Sequence, residues 1–509
     1  MVDIGLLSLQ TLKLFLFSAT LYYIYVYLLK PALNFVYMVI HYHGFPSYPK
    51  NFLLGHLKHF WTNFPFPNDA ASVSKNVYEA VNKIVAHNPD ESLSVAWISI
   101  YPVIILTGHE AVEILLDKKN LKKPHFYKFM GLGDGLIPSD PEIWKVRRKL
   151  IEPFFSTKKM KDHAENMYQE MESFGQRLHD EVGKPIDLVH QIHTSTLNII
   201  LKSATSIPLD DSMEDKKKFT KLVDKIEPNL CRRGTNPFYY FDWLFKFFEF
   251  GRAYNKTNDM IAEFINHILT QRMEIFENAL NEPENQDFIH LLEDKIDEQG
   301  IHNELLTLII AGHETTAVAL RWILFNLGNI PFFISTLIEK LYKEIIQFFP
   351  DDAPIDDMDK IKQCNYLDQC VKESLRLNPP VYGIARVLEE DIMVKDKRLI
   401  KGSVVGVMIE ATHRDPKVYP NPKKYDPDRW NPENASKIPK AAFIPFGYGP
   451  RSCIGYRYAM IELKIYTIQI IRKFSLRSTR PHGSIPLKAD ITLRPVEPLE
   501  IIMKPRNHN

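Results

Sequence analysis

One cysteine stands where chemistry is easiest to place. Cys453 lies near the end of a glycine-rich run, Phe446-Gly447-Tyr448-Gly449-Pro450-Arg451-Ser452-Cys453-Ile454-Gly455, just ahead of a helical stretch over 460–474. Glycines allow positive φ and close backbone approach, so backbone N–H groups can turn toward the sulfur. The start of a helix adds positive potential there, which lowers a thiol pKa. The pattern predicts a thiolate at Cys453, acting as a nucleophile or as a metal ligand. A nucleophile would need a base, and any such partner is distant in the sequence. A lone cysteine is more often an inert buried thiol; the glycine and arginine framing argues against that here.

A second group pairs an acid with an alcohol. Ala311-Gly312-His313-Glu314-Thr315-Thr316 falls inside a helical run over 303–327. Neighbouring carboxyl and hydroxyl groups can pass protons in a controlled way. His313-Glu314 also hints at a zinc protease, but that motif needs a second histidine four residues after the first, where Ala317 stands. The plainer alternative is a threonine bonding back to its own helix. Glu373 and Arg376 sit three apart on one helix face; exposed, such a pair would be worth only a few tenths of a kcal/mol, ~0.2–0.5. Trp144 and Arg148, four apart, also share a face.

The elements that must position these groups are mostly helical. Helical spacing runs over 170–182, 260–277, 303–327 and 356–377, the last stopped by Asn378-Pro379-Pro380. Beyond Pro380 the texture changes to short strand-like runs at 404–409 and 491–503, with a proline-marked irregular stretch from Pro416 to Pro432 between them. The expectation is a large, mainly α domain with small β-sheets. At the N-terminus, residues 4–29 carry a single charge, Lys13. A membrane span needs ~20 mainly apolar residues, and the stem of Lys13 can reach toward the interface. An acidic start (Asp3) and Tyr-rich continuation favour an uncleaved anchor over a signal peptide. Lys30, Lys50 and Lys58 follow the span and place the body on the cytosolic side. The prolines of Phe45-Pro46-Ser47-Tyr48-Pro49 read as a stiff hinge. The chain therefore divides into an anchor with its hinge at 1–45 and one catalytic domain at 46–509.

Composition removes several function classes. With Lys+Arg 63 and Asp+Glu 62 the net charge is +1, without the basic excess of a nucleic-acid binder. Four cysteines, Cys231, Cys364, Cys370 and Cys453, with no CxxC pair, exclude a disulfide scaffold and disfavour structural zinc. Neither G-x-S-x-G nor HExxH is present, which disfavours a membrane-bound hydrolase.

The cysteine run resembles the haem-binding signature of the cytochrome P450 superfamily, the haem-thiolate monooxygenases, at every fixed position. The resemblance implies haem b with Cys453 as axial iron ligand, Phe446 beside the sulfur, and donors around Gly455 tuning it. It implies propionate contacts from Trp144, Arg148, Arg386 and Arg451, and an oxygen-activating segment in which Gly312 removes bulk so that O₂ fits, with a local loosening of the helix there, Thr315 bonds the oxygen or a water, and Glu314 relays protons. Glu373, Arg376 and Arg429 (in Tyr425-Asp426-Pro427-Asp428-Arg429-Trp430) would form its buried charge network. The anchor is similar to that of the microsomal eukaryotic type, which implies a single-pass endoplasmic reticulum protein. It would draw NADPH electrons through NADPH-cytochrome P450 reductase, with cytochrome b5 as a further candidate donor and no nucleic-acid partner. A basic face of Arg147, Lys149, Lys158, Lys159, Arg457 and Lys464 would steer the donor.

Asn236-Pro237-Phe238, Asp242-Trp243, Gly251-Arg252 and Leu132-Gly133-Asp134-Gly135-Leu136 look like the fatty-acid ω-hydroxylase branch. Many members of that branch carry, at the position of Ala311, a Glu that ester-links to haem. Alanine there implies haem held without a covalent bond and weakens the case for terminal-carbon selectivity. Residues 118–138 and 207–250, rich in Phe and Tyr, are expected to line or cover a small apolar substrate, a fatty acid first. The alternatives are a sterol or xenobiotic hydroxylase, a haem-thiolate hydroperoxide isomerase or dehydratase, and a haem sensor. The last two have no use for Glu314-Thr315.

Overall fold

The computed structural model describes residues 3–506, except 52, 62–69, 89–90, 117–119, 179–180, 208–213, 279–286, 330–334, 351–352 and 356. Its axis is the helix Glu298–Gly328. This helix starts earlier than its apolar pattern predicts because Asp297 caps it, its side chain accepting from Gly300 N at 2.9 Å. It is long and apolar enough to cross a membrane, yet 83% of its most apolar 18-residue window is buried inside the body. A helix apolar on all sides belongs in a core. Around it pack Val189–Thr205, Asn365–Leu377 and Tyr456–Lys473. The helix expected over 260–277 is part of Glu249–Asn278, and the one expected over 170–182 is the end of Thr157–Arg177, which stops at Arg177 rather than running on to 182. The stretch 356–377 is two helices, Met358–Gln363 and Asn365–Leu377, broken where Cys364 takes a non-helical backbone.

The β-structure is small. A four-stranded sheet orders Leu93–Ile98, Tyr101–Leu106, Val404–Met408 and Gly383–Val387, with the central pair parallel and the outer pairs antiparallel. The expected strand over 491–503 is two strands, Leu493–Pro495 and Ile501–Pro505, in different sheets. In Gly383–Val387, Ile384 and Arg386 are two apart and so share a face. That face looks into the cavity described below.

The N-terminal helix is longer than the span read from the sequence. It runs from Asp3 to Tyr42, with a π-turn at Tyr25–Leu29 just before Pro31, which has no N–H to donate. The most apolar 18-residue window of Lys13–Tyr42 has a mean hydropathy of 1.4 and is 6% buried. Its last turns dock on the body. Tyr42 is fully buried, its hydroxyl 2.8 Å from Ser403 Oγ and accepting from Ile400 N at 2.9 Å. The segment expected to be a stiff hinge is pinned to the body as well. Pro46 O accepts from Val95 N, and Ser47 Oγ donates to Val95 O, both at 2.8 Å.

Candidate active site

The cysteine loop is shaped by two left-handed glycines, Gly447 and Gly449 (φ 75° and 73°). At Gly449 a Cβ would stand 1.9 Å from Leu116 O, so both conformation and space demand glycine. Cys453 N then bonds Phe446 O at 2.8 Å, closing the loop. Gly455 caps Tyr456–Lys473. Gly449→Ala is expected to open this loop and cut haem per protein several-fold. Haem content measured against total protein checks it, and full loading would contradict it.

Cys453 opens onto a cavity of about 290 Å³ beside the central helix. Its accessible surface faces that cavity. Across from it the helix contributes Leu308, Ala311, Gly312 and Thr315. Ile137, Phe288, Val381 and Ile384 add apolar wall. Phe446 lines the cavity too, packed edge-on against Tyr456 with ring centroids 4.8 Å apart.

The thiol differs from the sequence expectation. Burial pushes its pKa up, and the Gly455 backbone hydrogen bond and the Arg148 charge offset this only in part. Loop geometry alone does not lower the thiol pKa. Coordination to a metal does, since a coordinating thiol is deprotonated outright.

Four cations share this cavity: Lys123, Arg148, Arg386 and Arg451. Arg148 donates to Ser452 O at 2.6 Å, Arg386 to Ala385 O at 2.9 Å and Arg451 to Ser139 O at 2.7 Å. Arg451 lies over the Trp144 ring at 4.6 Å, and Lys123 over Tyr127 at 4.3 Å. Among the described residues none of the four forms an ion pair with a carboxylate. The acid on the wall, Glu304, is taken by Arg147 at 3.0 Å. Burial lowers the pKa of all four, bringing Arg451 to about 10 and Lys123 well below its ordinary value, with Arg386 adding repulsion to both. Unpaired buried cations are costly. A planar group with a metal for the sulfur, apolar faces and acidic edges meets each of these demands, and the donor set fits haem. Lys123 was not visible in the sequence, because nothing distinguishes it from its neighbour Lys122.

The acid–alcohol pair is split. Thr315 lines the cavity, its hydroxyl donating to Ala311 O at 2.8 Å. Glu314 is absent from the cavity wall and 1% exposed. Its carboxylate meets Arg494 at 2.6 Å, Thr492 Oγ1 at 3.1 Å and His193 at 3.4 Å. Burial would raise its pKa, but the Arg494 guanidinium holds it down at about 2. Arg494 also meets Asp224 at 2.7 Å and Glu227 at 3.1 Å. The helix is not loosened at this point, since α-helix continues through Gly312. A Cβ on Gly312 would lie 2.8 Å from the Ile200 side chain. The residue lets two helices meet as well as lining the cavity.

Glu373 and Arg376 are fully buried, joined by two 2.8 Å hydrogen bonds. Arg429, Trp430 Nε1 and Asp426 N complete the carboxylate's shell at 3.4, 3.0 and 2.9 Å. Arg376 reaches on to the His413, Pro422 and Lys424 carbonyls. The network ties the irregular 413–430 stretch to Asn365–Leu377.

The expected basic face is thinner than its residue count. Arg147 is buried against Asp134 and Glu304, and Lys464 pairs with Asp368 at 2.7 Å. Lys149, Lys158 and Arg457 are exposed. Of the expected substrate stretches, 118–138 supplies Lys123, Leu136 and Ile137 to the cavity, and 207–250 supplies no lining residue among those described. Residues 118–119 and 208–213 lie outside the described residues. In the second stretch Phe238, Phe241, Trp243 and Phe247 face outward.

Comparison with known proteins agrees with this geometry. The family model for cytochrome P450 matches residues 71–503. Cytochrome P450 4F6 of Rattus norvegicus is 30% identical over 442 residues, 81% of each chain. Cytochrome P450 4V2 of Homo sapiens is 28% identical over 433 residues, 81% of this chain and 82% of that protein. Leukotriene-B4 omega-hydroxylase 3 of Mus musculus is 29% identical over 491 residues, 90% of each.

Proposed function

The chain belongs to the cytochrome P450 family and is a haem-thiolate monooxygenase, and from that premise we propose that it hydroxylates a fatty acid or related lipid in the cavity beside Cys453. The observation that carries this reading is the cavity itself, with a thiol on one wall, a threonine-bearing helix across from it, apolar surface between, and four cations that meet no carboxylate among the described residues. When bound, the haem supplies O₂ activation and transfer of one oxygen atom to a C–H bond, the second oxygen leaving as water with two electrons from NADPH through a reductase. A relative named as a leukotriene-B4 omega-hydroxylase, aligned over 90% of each chain, supports the lipid class.

The protein's own groups divide the work. Cys453 ligates the iron. Trp144, Arg148, Arg386 and Arg451 hold the acidic edge, joined by Lys123. Phe446 shields the sulfur, and the Gly455 backbone tunes it. Apolar side chains such as Leu308, Val381 and Ile384 exclude water from the reacting carbon. Thr315 delivers protons at its hydroxyl, which can turn from Ala311 O toward the cavity. Glu314 supplies them by exchanging Arg494 for Thr315; its low pKa makes it a proton carrier only once it leaves Arg494.

The N-terminal helix anchors the protein by a single pass in the endoplasmic reticulum membrane, with the body cytosolic. The exposed Lys149, Lys158 and Arg457 receive the reductase, and cytochrome b5 on the same face. Residues 46–509 form the catalytic unit.

Thr315→Ala tests the proton role. General acid–base groups contribute about 10²-fold or more, so NADPH consumption continues while product per NADPH falls at least several-fold. Unchanged coupling would contradict the assignment. Ala311 leaves no carboxylate for an ester link, so acidified organic solvent should extract all the haem. A fraction retained on the chain would contradict non-covalent binding.

A further inference from the structure

Away from the cavity, a second set of metal-ligating side chains converges inside the protein. His193, on Val189–Thr205, meets His313 and Glu314, on Glu298–Gly328. One ligand atom from each lies within 4.8 Å of the others, and all three residues are buried. The hydrogen bonds fix which atoms are free. His313 Nδ1 is 2.7 Å from Ile309 O and must donate its hydrogen to that carbonyl. Its Nε2 therefore carries a bare lone pair, and among the described residues this atom has no hydrogen-bond partner although the residue is fully buried. Donation of one ring N–H to a backbone carbonyl is how proteins orient a histidine whose other nitrogen binds metal. His193 Nδ1 faces Glu314 Oε2 at 3.4 Å, and that oxygen also lacks a hydrogen-bond partner. Arg494 and Thr492 occupy only Oε1.

Charge points the same way. Arg494 is one cation facing three carboxylates, Asp224, Glu227 and Glu314. The shortfall is two positive charges, which either protons or one divalent cation can fill. Burial raises the pKa of Glu227. Two imidazole nitrogens and one carboxylate oxygen form a donor set suited to zinc, with a fourth position left for water.

We propose that His193, His313 and Glu314 form a binding site for a zinc-type divalent ion, separate from the haem. Occupation holds the Glu314 carboxylate on the far side of the helix from the cavity. On the proton-supply reading above, zinc then lowers product formed per NADPH; the binding site itself does not rest on that reading.

The test uses the haem-loaded full chain, stripped of loose metal by a chelator and then titrated with zinc alone. Zinc bound per haem iron is read by elemental analysis. One zinc per haem is expected in excess of that bound by His193→Ala, with His193→Cys, which restores a ligand, recovering it. Haem spectra verify folding, and His193→Gln replaces the alanine variant if that one does not load haem. Equal zinc uptake by wild type and the ligand-deleted variant would overturn the site. Zinc bound at His193 with unchanged product per NADPH would uphold the site and overturn the proton role of Glu314.

Discussion

Cys453→Ala is expected to abolish hydroxylation and to remove the red-shifted Soret band of the reduced, carbon-monoxide-bound protein. The sulfur has no understudy. Cys364 and Cys370 are buried away from the cavity lining, and Cys231 is absent from it. The four cavity cations are untouched by the substitution, so the variant should still take up haem, with reduced retention. Haem uptake with loss of the thiolate spectrum separates ligand loss from unfolding. A thiolate-type spectrum surviving in the alanine variant would refute the ligand assignment.

Glu373→Ala is expected to prevent accumulation of haem-loaded protein. It leaves Arg376 and most of Arg429 buried without their carboxylate, and strips acceptors from Trp430 Nε1 and Asp426 N. Breaking one side of a buried pair costs about 3–5 kcal/mol, against a total stability of about 5–15 kcal/mol. By contrast Lys362→Ala, in a pair 62% and 82% exposed, should leave thermal unfolding unchanged, because exposed pairs contribute little. Comparing holoprotein yield and unfolding temperature for the two variants checks the argument. A stable, fully loaded Glu373→Ala protein would show that the pair is not structural.

What the sequence made legible was local. The cysteine loop could be read because glycine conformation and helix entry are properties of adjacent residues, and Gly447 and Gly449 adopt the expected positive φ. The central helix followed from spacing, whereas a site-facing Thr315 came only from the resemblance to the cytochrome P450 superfamily. What was hidden depends on distant partners. Arg494, which fixes where Glu314 points, lies 180 residues away in a short strand. The hairpin Leu93–Ile98 with Tyr101–Leu106 escaped notice because its first strand is buried at nearly every position and so lacks alternation. The thiol's raised pKa follows from burial, which no residue spacing records. The docked end of the N-terminal helix depends on Tyr42 meeting a turn near Ser403, again remote in sequence.

The central claim is that Cys453 ligates haem iron as a thiolate in this cavity. The spectrum of the reduced wild-type protein under carbon monoxide tests it most directly. A strongly red-shifted Soret band is the predicted result; an ordinary haem–carbon monoxide band in folded, haem-loaded protein would contradict it.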